Sequence, residues 1–507
     1  MVEIILGPPG CGKTTSLLNL VEQELADGTP PDRIGFITFT KKGANEAIER
    51  ATKRFKLEAS QLPYFRTIHS VCYRALQVGS GDLLVGKAFF EFANHAGIRV
   101  TGRAWSDDGL LTGFEQGDRA LFMENLARIR QVPLRHQYDE YNDGLNWNFV
   151  DRVSRTLAEY KMARGLMDYT DMLTQFVAED RDLGLHKLFV DEAQDLSSLQ
   201  WAVVDLLARS CNRVVVAGDD DQAIYRWAGA HVEHLITMEG NVRVLGQSYR
   251  CPPAVQKISD GVISDVRHRR PKKWKAKTGD AGVVDYADSI SKVALPDSGS
   301  VLVLARNKYV LEEQVEPVLR AEGLVYEFGS KTSIDSDMVR GIRAWSTLGR
   351  GEPITLGDAR CMYKYIAANT GVKKGFKTLP TYGEDEDIPV TMTDLIQTGG
   401  LKVDPTLIWH DALDRLPKED MSYMLAALRR GEKLKGGAAR IKLSTIHSAK
   451  GGEADHVVVM KEMAGRTWDE MHLQPDDERR CWYVAVTRAR ERLTVVRSDT
   501  KRECPWI

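Results

Sequence analysis

The residue types best suited to chemistry begin at position 7. Gly7-Pro8-Pro9-Gly10-Cys11-Gly12-Lys13-Thr14 has the spacing GxxxxGK[ST], follows the apolar run Ile4–Leu6 and precedes a helical pattern starting near Ser16. Glycines let backbone N–H groups turn inward around phosphates, Lys13 reaches the outer phosphates, and the Thr14 hydroxyl faces a magnesium ion. The helix N-terminus adds its positive dipole end. Such a loop needs a carboxylate for the metal. The run Leu188-Phe189-Val190 ends in Asp191-Glu192-Ala193-Gln194-Asp195, which puts Asp191 where it holds Mg²⁺ and Glu192 where it orients or deprotonates the attacking water. A third run, Val214–Ala217, leads into Gly218-Asp219-Asp220-Asp221-Gln222. Gln222, neutral and able to donate and accept, suits a sensor of the terminal phosphate, whereas loop capping is the default role for the three aspartates.

These turns must be presented by a sheet. Short β-branched runs at Ile4–Leu6, Ile34–Thr38, Leu188–Val190, Val214–Ala217, Val301–Ala305 and Val457–Met460 alternate with helical patterns. The alternation predicts an α/β fold of parallel sheets with helices on both faces. Four runs precede residue 250 and two follow residue 300, so two α/β domains joined near residues 246–280 are expected. Residues 79–162 and 349–437 break the rhythm with mostly helical patterns. The expected scheme is a first domain of 1–78 and 163–246 interrupted by the insertion 79–162, and a second of 247–348 and 438–507 interrupted by 349–437. At the join, the basic stretch Arg267–Lys277 (RHRRPKKWKAK) reads equally as a solvated linker or a phosphate-contacting edge.

Composition narrows the class. A chain of 507 residues exceeds one ordinary core, and 43% hydrophobic with 28% charged residues is a globular balance. No apolar run approaches the ~20 residues that span a bilayer, so no membrane partner is expected. Lys+Arg at 69 against Asp+Glu at 71 gives a net charge of −2, so affinity for nucleic acid has to come from local basic surface. The seven cysteines show no CxxC or Cys/His pairing, which argues against a zinc ribbon, an iron–sulfur cluster or a disulfide scaffold and fits a reducing compartment. Met1–Leu6 reads as a buried strand and not a signal peptide.

Across these and further segments the chain resembles the UvrD/Rep/PcrA group of superfamily 1 DNA helicases. GPPGCGKT and VDEAQD look like its two Walker motifs. Ile37–Lys42 (ITFTKK) resembles TFTNKAA, Thr67–Ser70 (TIHS) the neighbouring T-x-H, and Asp168–Leu173 (DYTDML) the segment DFDDLL. Gly218–Ala230 (GDDDQAIYRWAGA) resembles GDDDQSIYGWRGA and Gln247–Arg250 (QSYR) resembles QNYR. In the second half, Leu443–Glu453 (LSTIHSAKGGE) resembles LMTLHSAKGLE, and Tyr483–Arg490 (YVAVTRAR) resembles YVGVTRA.

The resemblance implies two RecA-like domains and an ATP- and Mg²⁺-dependent DNA helicase moving 3′ to 5′ on single strands. Gly7 to Thr14 and Thr15 would cradle the nucleotide, Tyr249 would stack on adenine and Glu453 would hold the ribose. Lys13, Glu192, Gln222, Arg250 and Arg488 would be catalytic, the two arginines reaching the γ-phosphate. Phe39, Thr40, Lys41, His69, Tyr225, Trp227, Thr445 and His447 would contact DNA. Aromatic faces suit a sequence-blind motor because every base offers a π-face. Read without the resemblance, Phe39 is equally at home in a core, and His69 and His447 as satisfied structural histidines.

The chain also departs from the family pattern. Six residues precede Gly7, which leaves no adenine-reading glutamine motif, and Thr15 stands where an arginine is usual, so weak base discrimination is expected. Arg226 and Ala228 reverse the usual Gly and Arg around Trp227, the second insertion is short, and the chain stops soon after Arg488. Two alternatives stay open: a translocase that strips proteins from single strands without unwinding, and an ATP-gated DNA-binding switch or loader. Expected partners are single-stranded DNA, single-strand/duplex junctions and single-strand-binding or replication and repair proteins. A monomer in the cytoplasm of a bacterial or phage-infected cell, associated with the nucleoid, is expected.

Overall fold

The computed structural model describes residues 2–39, 41–102, 115–141, 144–382, 385–432 and 439–507, apart from the side chains of Lys41, Lys42 and Thr381. The chain forms two compact units. One comprises Met1–Asp288, Leu304–Lys308 and Thr445–Ile507, the other Ser289–Val303 and Tyr309–Ser444.

The first unit is built on a six-stranded parallel sheet: β1 (Val2–Leu6), β2 (Ile34–Thr38), β3 (Phe65–Thr67), β4 (Lys187–Val190), β5 (Arg213–Gly218) and β6 (Asn241–Val244). Their spatial order is β3-β2-β4-β5-β1-β6, with Val190 opposite Val216 and Ile4 opposite Val216 on the other side. Strands buried on both faces need continuous apolar sequence, and Ile4, Ile5, Phe36, Ile37, Phe189, Val190 and Val215 are at most 1% exposed. Because the strands are parallel, the carboxyl ends of β1, β4 and β5 all open on one edge, where open α/β sheets bind ligands. Of the four runs expected before residue 250, all are strands here. The short β3 and the exposed edge strand β6 lacked a long apolar run and were not foreseen.

The expected insertion 79–162 holds the helices Lys87–His95, Gln116–Arg130 and Leu134–Glu140 and most of Trp147–Arg164, which runs two residues past it; they close on their own core of Phe92, Met123, Val150, Val153, Leu157 and Tyr160. An ion cluster follows: Arg128 and Lys161 share Asp168 and Asp171, and these two aspartates also cap the helix Tyr169–Ala178.

The first unit also holds three parallel strands, Val283–Ala287, Ala489–Val496 and Ala454–Met460, paired side by side with an irregularity between Ala454 and His456. The scheme read from sequence breaks the chain at 246/247, yet residues 247–288 and 445–507 pack with the first sheet. Buried polar bonds explain this: Ser248 Oγ donates to Pro9 O at 2.8 Å, and Arg480 Nε donates to Asp220 O at 3.0 Å.

The second unit contains the helices Ser336–Gly349, Leu356–Lys364 and Lys418–Arg430 around Met338, Trp345, Leu356, Met362, Tyr363, Leu395 and Met424. Tyr326–Phe328 pairs in parallel with Ile441–Leu443. All seven cysteines are free, and among the described residues no group of His, Cys, Asp or Glu could hold a metal ion as a cluster and no helix is long and apolar enough to cross a membrane.

Candidate nucleotide and nucleic-acid site

The loop after β1 turns sharply because Gly10 (φ 70°) and Gly12 (φ 81°) take left-handed backbone. A Cβ at Gly10 would lie 2.3 Å from Arg250 Cβ, so the glycine is required by close approach as well as by φ. The helix Lys13–Ala26 starts at once, with Gly12 as its N-cap. Pro8, Pro9 and Cys11 are buried, while Thr15 is exposed on the helix. Lys13 Nζ donates to Gly7 O at 2.9 Å. Burial would lower its pKa, but Cys11, Asp219, Glu192 and Asp191 around it outweigh that and raise it, so it is a firm cation.

Thr14 Oγ1 donates to Asp191 Oδ2 at 2.6 Å. A hydroxyl beside a carboxylate at the mouth of a glycine cradle is the hard-oxygen donor set that magnesium prefers. Burial, then the neighbouring Glu192 charge, pushes the Asp191 carboxyl up to about 6, a cost that a bound divalent cation would remove. Glu192 adopts φ 54°, unusual for a non-glycine residue, and Gln194 Nε2 donates to its Oε2 at 2.5 Å. Burial would raise its pKa, but Lys450, Lys13 and Arg488 hold it below the usual range, as a base requires.

Gln194 also bridges to the next turn, its Oε1 accepting from Asp219 N at 2.9 Å. Gln222 then makes two bonds: Nε2 donates to Asp219 Oδ2 at 2.6 Å and Oε1 accepts from Arg488 Nη2 at 2.9 Å. Arg488 is fully buried, its Nε donating to Val484 O and Nη1 to Gly452 O. Burial, and then Arg250, lowers its pKa to about 9, which leaves it charged at neutral pH. Arg250 pairs with Glu453, Nε to Oε2 at 2.5 Å, and Arg490 reaches the same carboxylate. Tyr249 is 75% exposed beside the loop, its N–H donating to Gly10 O at 2.9 Å.

The nucleotide residues named from sequence therefore lie around one edge of the first unit. Gly218–Ala230 runs from them to an aromatic cluster, where Phe39 and Tyr225 rings are 5.5 Å apart and Tyr225 and Trp227 6.2 Å. A cavity of 420 Å³ opens beside it, lined by Phe39, His69, Asn125, Tyr169 and Tyr225. His69 is half-buried and meets the Tyr169 ring edge-on at 6.2 Å, and burial lowers its pKa. Thr445 and His447 are placed differently, both buried. The Thr445 hydroxyl accepts from Ser448 N, capping a turn. His447 lies under Tyr225 and Trp227, and burial with Arg306 and Lys450 nearby keeps it neutral. Thr40 lies outside the described residues, as does the Lys41 side chain.

Sequence reasoning passed over several members of the site. Lys450 donates to both oxygens of Asp195, to Gln222 O at 2.7 Å, and sits 5.1 Å from the Tyr225 ring centre. Lys272 and Arg269 occupy the Asp219–Asp221 turn. The stretch Arg267–Lys277 is thus neither a solvated linker nor a free phosphate-binding edge at these two positions. Only the run of basic residues hinted at it. A single sequence offers no sign that their partners are three aspartates 50 residues away.

The UvrD/REP helicase N-terminal domain model matches residues 2–243, and the UvrD-like helicase C-terminal domain model matches residues 418–500. This chain belongs to the UvrD-like helicase family. Among curated relatives of this family, an ATP-dependent DNA helicase PcrA from Leuconostoc citreum is 25% identical over 298 residues, 56% of this chain and 40% of that protein. A Staphylococcus aureus PcrA is 25% identical over 301 residues, again 40% of its length. A probable DNA helicase II homolog from Mycoplasma genitalium is 22% identical and covers 97% of this chain and 82% of its own. The matches to the two PcrA proteins thus span well under half their length. A solved PRRSV helicase structure covers 99% of this chain and 53% of its own at 12% identity, with a TM-score of 0.34. As in the sequence reading, the UvrD-like fold is α/β with parallel sheets.

Proposed function

We propose that this UvrD-like protein is an ATP-hydrolysing DNA helicase that moves 3′ to 5′ along a single strand and separates duplex ahead of it. The observation that carries this reading is the continuity of Gly218–Ala230. Gln222 at one end bonds Arg488, while Tyr225 and Trp227 at the other stand in the aromatic cluster with Phe39. One continuous segment can therefore couple the state of a triphosphate to the grip on bases.

In this reading the glycine loop and Lys13 bind the phosphates, and Tyr249 offers its exposed face to the base. Thr14 and Asp191 would hold Mg²⁺, which supplies charge neutralisation between the phosphate oxygens. Glu192, kept anionic by Lys450 and Lys13, takes the proton of the attacking water. Arg488 and Arg250 stabilise charge at the terminal phosphoryl group, a contribution of about 10³–10⁵ in rate for such an arginine. Glu453 orients the sugar. The polarity rests on the family likeness, as does a monomer acting in the bacterial or phage-infected cytoplasm beside single-strand-binding and repair proteins.

The test is unwinding of matched duplexes carrying a 3′ or a 5′ single-stranded tail, with streptavidin displacement from biotinylated single strands in parallel. Unwinding of the 3′-tailed duplex alone supports the proposal. Displacement of streptavidin without strand separation would make the protein a translocase, and neither activity despite ATP-dependent DNA binding would make it a switch.

A further inference from the structure

The segment Arg267–Lys277 is stitched to both arms of the site. On one arm, Lys275 N donates to Gly246 O at 2.7 Å and Ser248 N to Lys275 O at 2.9 Å. Lys277 N donates to Cys251 O at 2.8 Å, so these bonds flank Tyr249 and Arg250. On the other arm, Arg269 grips Asp221 through Nε at 2.7 Å and Nη2 at 2.5 Å, and Arg270 N donates to Asp220 Oδ2 at 2.7 Å.

Lys272 is the centre of this brace. Its side chain is 1% exposed, and its ammonium lies 3.1 Å from Asp219 Oδ1 and 3.0 Å from Asp221 Oδ2, with a further bond to Asp220. Three buried carboxylates cannot stand together without cations among them. Lys272 uses one oxygen of Asp219, and the other accepts the Gln222 amide at 2.6 Å. With its nitrogen fixed there, the Gln222 amide must present its oxygen to Arg488.

We propose that Lys272 is a positioning residue for triphosphate hydrolysis: set among Asp219, Asp220 and Asp221, it holds the Asp219 carboxylate that orients the Gln222 amide toward Arg488. This rests on the reading of the protein as a triphosphate-hydrolysing motor. Among the described residues, the ion pairs of the Lys272 ammonium are to Asp219, Asp220 and Asp221, not to the glycine loop. Its effect reaches the terminal phosphoryl through Asp219, Gln222 and Arg488 in sequence.

The experiment is steady-state ATP hydrolysis by the full chain with Mg²⁺ and saturating single-stranded DNA, with thermal melting alongside. Lys272→Met should lower kcat by about tenfold to a hundredfold, the effect of one charge-assisted hydrogen bond, with KM changed less than about threefold. Lys272→Arg should recover most of the loss. Asp219→Ala should show a similar kcat defect, and adding Lys272→Met to it should cost less than about twofold more, because two residues acting through one chain are not additive. Unchanged kcat, full additivity, or kcat and KM worsening together with the melting temperature would overturn the proposal. Should Lys272→Met not fold, Asp219→Ala decides alone: a normal kcat there removes Gln222 orientation from the mechanism. A wild-type chain that hydrolyses no nucleoside triphosphate defeats the motor reading itself, and that result is distinct from a wild type that turns over beside a variant that matches it.

Discussion

Replacing the Gln222 amide nitrogen with oxygen, as Gln222→Glu, is a one-atom perturbation with a calculable consequence. The Oε1 contact with Arg488 at 2.9 Å survives, but the 2.6 Å bond to Asp219 becomes a contact between two carboxylates. At that distance and an effective dielectric of about 20, two unit charges repel by about 6 kcal/mol; Arg488 attracts the new carboxylate by a comparable amount, and burial of the 222 side chain tips the balance against a second charge. The pair therefore keeps a proton, and the pKa of the introduced carboxyl is raised. Below that raised pKa the shared proton replaces the amide N–H, and the 222 side chain stays oriented. Above it the pair flies apart. The unfolded chain ionises at the ordinary carboxylate pKa, so stability is intact below that range, falls as pH rises, and reaches its full loss above the raised folded pKa. Hydrolysis should follow the same curve: near wild type at the acidic end, then lower by about tenfold to a hundredfold on the alkaline side. The assay is kcat against pH for wild type, Gln222→Glu and Gln222→Ala. A pH-independent defect in Gln222→Glu, equal to that of Gln222→Ala, would show that the bond to Asp219 does not orient the 222 side chain.

Lys13→Ala should reduce hydrolysis by at least about 10³ while single-stranded DNA still binds, measured by fluorescence anisotropy, because the cation serves the glycine loop and Glu192 and not the aromatic cluster. Trp227→Ala should weaken single-strand affinity by about 1–3 kcal/mol and blunt the stimulation of hydrolysis by DNA, with nucleotide affinity unchanged by fluorescent-nucleotide titration. Asp168→Asn should destabilise the first unit, by about 3–5 kcal/mol at neutral pH, because Arg128 and Lys161 lose a shared partner. Burial opposes ionisation of Asp168, but Arg128 and Lys161 override it and hold its pKa far below normal. Its stabilisation is therefore present above the ordinary aspartate pKa and lost as pH falls toward the folded one. Chemical denaturation at neutral and acidic pH checks this, the gap between wild type and variant narrowing in acid.

Much of the first unit was legible because glycine spacing and parallel strands are local signals. Gly7–Thr14 fixes a strand, a turn and a helix N-terminus within eight residues, and Leu188–Glu192 does the same for the Asp191 carboxylate. What sequence left hidden depends on long-range pairing. The family likeness implies DNA contact for Thr445 and His447, yet both are buried, His447 lying against Tyr225 and Trp227. Asp219 to Asp221 read as loop caps, and Asp219 does cap its turn by accepting from Asp221 N. The cations that make the triplet tolerable come from Arg269 and Lys272, in a stretch whose composition reads equally as a solvated linker or a phosphate-contacting edge. Tyr169, 51% exposed at the start of a helix, shows no periodic signal that sets it beside His69.

The most direct measurement of the coupling between nucleotide and strand is the ATP hydrolysis rate of the wild-type chain titrated with a single-stranded oligonucleotide. A saturable rise of about tenfold or more is expected at fixed ATP, lost in Arg488→Ala. A hydrolysis rate indifferent to DNA, at concentrations where binding is complete, would contradict that coupling.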